Sequence, residues 1–268
     1  GLLQPDAGDI RIFGVDARAD PKGAKRITAW LPDEPMLYDK LTPIDYPSDA
    51  TFAFWRERVL IELKSDWTLA DRTWPRGSLL TADAERYLKG ERQFTVLFTP
   101  TATRSLSSFT TTRGQVLLSI LDNVAGRVEE WQPDGARWTK REVQAPFPGT
   151  LGVRALHDPL QNAKDTLAER YLLTYTDFLT PDSLMLGQTG SDQRETLKSR
   201  PRFFDSTCMK VEQRFAQSKD GTRVPYFVVW PKNAEADGKN PTVLYGYGGF
   251  EVPMLPFYSG GFGNAWYE

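Results

Sequence analysis

The chain is 268 residues long, 40% hydrophobic and 25% charged, with a formal net charge of −2. A sizeable core fits that composition, while the scattered lysines and arginines offer no basic stripe for nucleic acid and no polybasic patch for a membrane. One cysteine, Cys208, excludes an internal disulfide framework and any multi-thiolate metal site, and one histidine, His157, limits the catalysis the chain can support.

The first 43 residues have a texture of their own. "GLLQPDAGDIRIFG" carries a D-A-G turn, and with "KRITAWLPDEPMLYDKLT" it reads as strands spaced for a small antiparallel sheet. From there to about residue 210 short β-like runs alternate with turn chemistry. "RVLIELKSDW", "GQVLLSILDNV" and "RYLLTYTDFL" resemble one another when aligned on Val59, Val116 and Tyr171, which lie 57 and 55 residues apart. Each has an apolar triplet, a short mixed stretch and then an aspartate: Asp66, Asp122 and Asp177. Self-similarity at such a period in a strand-rich region predicts propeller blades with generous loops, and a β-sandwich with look-alike strands is the alternative. Further strands are expected from Phe94, in a hairpin around Pro133-Asp134-Gly135, and from Ser183. From Val211 the pattern changes to a hairpin turning at Asp220-Gly221, a polar loop, and an apolar strand from Thr242 to Tyr245.

The chemistry legible in the residues is partial. No G-x-S-x-G nucleophile elbow occurs, and neither Ser191 nor Ser259 has the glycine spacing for one. His157 reads as a solvated loop residue, Cys208 as a buried or incidental thiol, and the acidic pairs Asp33-Glu34 and Glu129-Glu130 as solvated faces. No phosphate loop or metal-ligand spacing is present, so no cofactor is expected.

"SKDGTRVPYFVVWPKN" followed by "NPTVLYGYGGFEVPMLPFYS" resembles the prolyl oligopeptidase family of serine peptidases, where its propeller gives way to its α/β hydrolase domain. "YLLTYTDFLTPDSL" is similar to the family's last blade and "LKSRPRFFD" to the linker leaving it. The resemblance implies a mainly β chain: a partial β-propeller of about three to four blades over residues 44–210, then the first strands of an α/β hydrolase domain over 211–268. It implies an oxyanion-hole role for Tyr247 and a proline-pocket role for Phe250, with glycines 246, 248 and 249 turning the backbone so that both side chains reach the cavity. Short proline-containing peptides are the implied substrates, cleaved after proline, with the propeller restricting access. Because the sequence ends at "GNAWYE" before any nucleophilic Ser, an internal fragment without peptidase activity is expected. The parent enzyme is expected to be monomeric, and the fragment to self-associate through open sheet edges. "GLLQPDAGDIRIFGVD" and "LPDEPMLYDKLT" in residues 1–43 are similar to an ABC transporter ATP-binding subunit lacking its phosphate loop. A protein-binding module of the propeller type and a remnant of such an ATPase remain the alternatives. No apolar run approaches the roughly 20 residues of a membrane helix and no signal-peptide pattern opens the chain. A cytoplasmic setting is expected, with a periplasmic one as the alternative.

Overall fold

The fold is described from a computed structural model, covering residues 11–12, 15–16, 19–20, 22, 44–135, 137–146, 148–160, 165–250 and 252–267. The chain divides into two compact units, Gly1–Ile44 and Asp45–Glu268. In the first, β1 (Arg11–Ile12) and β2 (Val15–Asp16) pair antiparallel. The D-A-G turn and the Asp33-Glu34 pair lie outside the described residues.

The second unit is mainly β and carries three four-stranded antiparallel sheets. The first sheet is formed by β3 (Thr51–Trp55), β4 (Arg58–Glu62), β7 (Leu79–Asp83) and β8 (Thr95–Phe98). A two-stranded ribbon of β5 (Trp67–Leu69) and β6 (Arg72–Trp74) interrupts it between β4 and β7, and a short helix, α1 (Ala84–Leu88), follows β7. The second sheet runs in order through β9 (Arg104–Thr111), β10 (Val116–Asp122), β11 (Ala125–Asp134) and β12 (Arg137–Glu142). The third does the same with β13 (Thr150–Ala155), β14 (Arg170–Thr176), β15 (Ser183–Gln188) and β16 (Arg194–Ser199).

The sequence repeat has a physical origin here. Val59, Val116 and Tyr171 each lie near the start of the second strand of their sheet. That strand is paired on both edges, so its main chain is saturated. In β10 both faces are covered too. Successive side chains point to opposite faces: Val116, Leu118 and Ile120 pack with Trp55, Leu60 and Leu79 of the first sheet, while Leu117 packs with Tyr171 and Leu173 of the third. Each such leucine contributes about 1.5–3 kcal/mol by leaving water. The result is three sheets stacked face against face, which is propeller-like and differs from a two-sheet sandwich. Hydrogen bonds stitch the stack, from Trp55 Nε1 to the Thr112 carbonyl (2.8 Å), Gly126 N to Gly149 O (2.7 Å) and Arg113 N to Ala168 O (2.9 Å). The repeated aspartates close turns: Asp66 accepts from Arg76 N (2.7 Å), and Asp177 from the main-chain N–H of Leu179 and Thr180.

The structure corrects the reading of Glu129-Glu130 as a solvated face. Both are buried, because β11 is an inner strand and its two neighbouring carboxylates enter the spaces on either side of the sheet. Glu129 Oε1 meets Arg104 Nη2 at 2.9 Å and Lys140 Nζ at 3.3 Å, and its other oxygen accepts from Trp131 Nε1. Glu130 Oε2 accepts from Arg141 Nε (2.8 Å) and from Gly190 N (2.9 Å) in the turn between β15 and β16.

Asp192 extends this joint. It pairs with Arg141 at 2.9 Å and accepts from Gln144 N, linking the second and third sheets. Burial opposes its ionisation, but Gln144 N–H and the Arg141 and Arg194 guanidinium groups outweigh that and hold its carboxyl below its ordinary value of 3.8. A depressed carboxylate contributes stability that is complete above the unfolded value and lost as pH falls through the folded one. Stability is therefore expected to fall as pH drops below about 4, and Asp192→Asn to flatten part of that fall in acid titrations followed by circular dichroism.

Beyond the third sheet, β17 (Lys210–Gln217) and β18 (Arg223–Trp230) form the expected hairpin. Gly221, at φ +87°, supplies the left-handed turn residue. The apolar run Thr242–Tyr245 is not a strand. It pairs with no strand among the described residues, and Leu244 is 97% exposed. An apolar strand needs neighbours on both edges to bury its side chains and satisfy its main chain; without them the run is extended and bare. The last segment returns to the third sheet, where Thr150 Oγ1 donates to Pro256 O (2.6 Å) and Tyr258 stacks on Phe204 (5.0 Å between centroids). It then forms a short helix, α2 (Gly260–Phe262), capped by the Ser259 hydroxyl, which runs on into a π-helical turn, Gly263–Tyr267.

Candidate functional site

A cleft of about 610 Å³ lies where the β17–β18 hairpin and the Y-G-Y-G-G-F segment meet the second sheet. Residues 213, 215 and 217 of β17 share a face with 223, 225 and 227 of β18, by register and strand alternation. At one end of this face Gln213 Nε2 donates to Asn123 O at 2.5 Å, pinning the hairpin to the turn between β10 and β11. At the other end Arg223 and Pro225 form a wall of the cleft. The loop Thr101–Ser105 and Asn123-Val124 form the floor, and Tyr247–Gly249 with Pro253 the remaining side.

The floor is held tightly. Asn123 N donates to Thr103 O at 2.8 Å, and the Asn123 amide donates to Asp122 Oδ1. Asn123 (φ +49°) and Val124 (φ +62°) are both left-handed, as a two-residue turn between right-twisted strands requires. For Asn that conformation is accessible; for β-branched Val it is strained, at about 1–3 kcal/mol. Val124→Gly is expected to stabilise the chain by about 1 kcal/mol after the added entropy of the unfolded glycine. A thermal melt that drops instead would show that the Val124 side chain contributes more packing than its backbone costs.

Tyr247 lies on the cleft wall, 54% exposed, and its hydroxyl has no hydrogen-bond partner among the described residues. Its ring lies over Gly249, where a Cβ would come within 2.9 Å of the phenolic oxygen, so a glycine is needed there for close approach. Gly246, Gly248 and Gly249 are not in the left-handed region; Phe250 is, at φ +56°. Phe250 is 92% exposed and does not line the cleft, so the structure brings Tyr247 to it and leaves Phe250 outside.

Two further sequence readings change. His157 is not a solvated loop residue: its side chain is mostly covered, and Nδ1 lies 3.4 Å from Asp165 Oδ2. Asp165 is itself held below its ordinary carboxyl value, first by the Leu167 N–H. Neither lines the cleft. Of the two readings of Cys208, exposure removes the buried one and leaves the incidental one, with the residue at φ +64°. Arg223 was not legible as a site residue, because in sequence it is one of many arginines and only the hairpin register turns it to the cleft. Among the described residues no three His, Cys, Asp or Glu side chains are placed to hold a metal.

Comparison with known proteins gives a class. The chain is 33% identical over 226 residues to an uncharacterized peptidase of Sinorhizobium fredii and 33% identical over 229 residues to one of Rickettsia prowazekii. These alignments take in 83% and 82% of the chain, and in each case the chain spans 30% of the relative's length. Over 119 residues it is 32% identical to the prolyl endopeptidase of Elizabethkingia miricola, which is 44% of the chain and 16% of that enzyme. A solved post-proline cleaving enzyme from Rickettsia typhi superposes with a TM-score of 0.64 at 29% identity, over 84% of the chain and 32% of that structure. No family model matches the chain. The names define a class, the peptidases; within it, the prolyl endopeptidases and the post-proline cleaving enzyme support the prolyl oligopeptidase family. The likeness of residues 1–43 to a transporter ATPase finds no support in these relatives.

Proposed function

We propose that the chain is the junction segment of a prolyl oligopeptidase-type serine peptidase, acting on short proline-containing peptides and cleaving after proline. The stacked sheets over residues 44–210 restrict access to the site, and residues 211–268 open the hydrolase part. The observation that carries this reading is the unpartnered Tyr247 hydroxyl at the edge of the cleft, within an intact Y-G-Y-G-G-F. A neutral phenol with an accessible O–H is a good donor to the oxygen of a carbonyl that gains negative charge on attack. Phe250 supplies the flat ring that suits a pyrrolidine, and reaches the substrate only if its exposed, left-handed segment moves on binding.

The residues of this chain do not supply the attack. A hydroxyl nucleophile needs a neighbouring base, and the single imidazole, His157, faces Asp165 and not the cleft. The 268-residue chain by itself is expected to show no turnover of a fluorogenic Gly-Pro peptide, and the enzyme that carries it to show turnover blocked by a serine-directed inhibitor. Inhibitor-sensitive turnover by the chain alone, or none by the carrying enzyme, would overturn the reading.

A further inference from the structure

The cleft beside Tyr247 has an electrostatic feature that an oxyanion donor does not require. Its charged lining consists of two arginines, Arg104 and Arg223, and no carboxylate among the described residues. The two differ in what surrounds them. Arg104 is spoken for: it is bonded to Glu129 at 2.9 Å and lies 3.9 Å from Asp122. Arg223 has no carboxylate partner among the described residues, and its guanidinium carbon lies over the Phe215 ring, 3.6 Å from the centroid. Phe215 is on the partner strand, on the same face and diagonal to Arg223 across the register.

That contact holds the planar fork in place without using its N–H groups, so a ligand meets a cation already oriented. A guanidinium of this kind binds a carboxylate by two parallel hydrogen bonds. The remaining lining near it, the hydroxyls of Thr101, Thr103 and Ser105 with the apolar Pro225 and Val252, suits peptide main chain and small side chains.

We propose that Arg223 is a specificity residue of this cleft, receiving a carboxylate of the bound peptide: its free C-terminus, or an acidic side chain near it. This rests on the peptide-cleaving reading of the cleft and adds a preference for anionic short peptides. It also limits length, because a C-terminal carboxylate seated on Arg223 leaves no chain to continue beyond the cleft.

The test uses the whole 268-residue chain and three N-dansylated probes: Ala-Gly-Pro-Ala with a free C-terminus, its C-terminal amide, and amidated Ala-Gly-Pro-Glu. Binding is followed by fluorescence at low ionic strength. The free acid is expected to bind at least about tenfold more tightly than the amide, an advantage of about 1.4 kcal/mol. Arg223→Gln should abolish that difference, and Arg223→Lys should restore only part of it. If the amidated Glu peptide matches the free acid, Arg223 accepts either carboxylate; if it matches the plain amide, only the C-terminus is read. Equal binding of all three probes by the unaltered chain overturns the Arg223 assignment and leaves the peptidase reading in place. Failure of every probe to bind overturns both. Arg223 is exposed on a hairpin, so its variants are expected to fold, and unchanged circular dichroism checks this.

Discussion

On the proposed peptidase reading, Tyr247→Phe made in an enzyme that carries this segment is expected to lower kcat by about 10²–10³-fold with KM nearly unchanged. The substitution removes one oxygen and keeps the ring over Gly249. A donor used only as the carbonyl oxygen gains charge contributes to the transition state and little to the ground state, so its loss appears in kcat. The magnitude corresponds to about 2.7–4 kcal/mol, the usual loss for one preorganised oxyanion donor. The Tyr247 ring is half exposed and its hydroxyl has no protein partner among the described residues, so the O–H is free to donate to a ligand. A purely structural tyrosine would behave differently, with kcat preserved and the thermal midpoint shifted. Gly249→Ala gives an independent check. A methyl there would sit 2.9 Å from the phenolic oxygen and push the ring aside, so it should lower kcat while keeping the hydroxyl. Unchanged kcat in Tyr247→Phe would remove Tyr247 from the chemistry.

What was legible in the sequence follows from how far each signal reaches along the chain. The second strands were legible because burial on both faces writes a continuous apolar run, as in "VLLSI" of β10. The hairpins at Gly135 and Gly221 were legible because a left-handed turn writes a glycine. Glu129-Glu130 misled because the pattern of a solvated strand and that of a buried charged joint are the same two letters. The difference lies in Arg104, Lys140, Arg141 and Gly190, up to 60 residues away. Thr242–Tyr245 misled in the opposite sense. Its residues suit a buried strand, but strand formation is a property of the neighbours as much as of the run. Tyr247 was legible through its motif; its cleft was not, since the floor comes from a turn at Asn123-Val124, more than a hundred residues earlier.

The joint at Glu130 carries the largest expected effect on stability. Arg141→Ala is expected to destabilise the chain by about 3 kcal/mol, at the lower end of the 3–5 kcal/mol range for breaking a buried pair, because Arg141 itself is one-third exposed. The cost comes from what remains. Glu130 is 2% exposed, and without Arg141 its carboxylate keeps only the Gly190 N–H, with its second oxygen already unpartnered. Asp192 would lose the closer of its two guanidinium partners at the same time, keeping Arg194 at 4.0 Å, which loosens the second sheet from the third. Glu130→Ala should cost less, because the arginine it frees is partly solvated and retains Asp192, leaving the Gly190 N–H as the main orphan. Pairing Arg141→Leu with Glu130→Met should recover most of the loss, as removing both charges removes the desolvation penalty. Urea denaturation followed by tryptophan fluorescence would order the three variants. An Arg141→Ala cost below about 1 kcal/mol, typical of a surface pair, would mean that water reaches Glu130 and that the sheets separate there more easily than their packing implies.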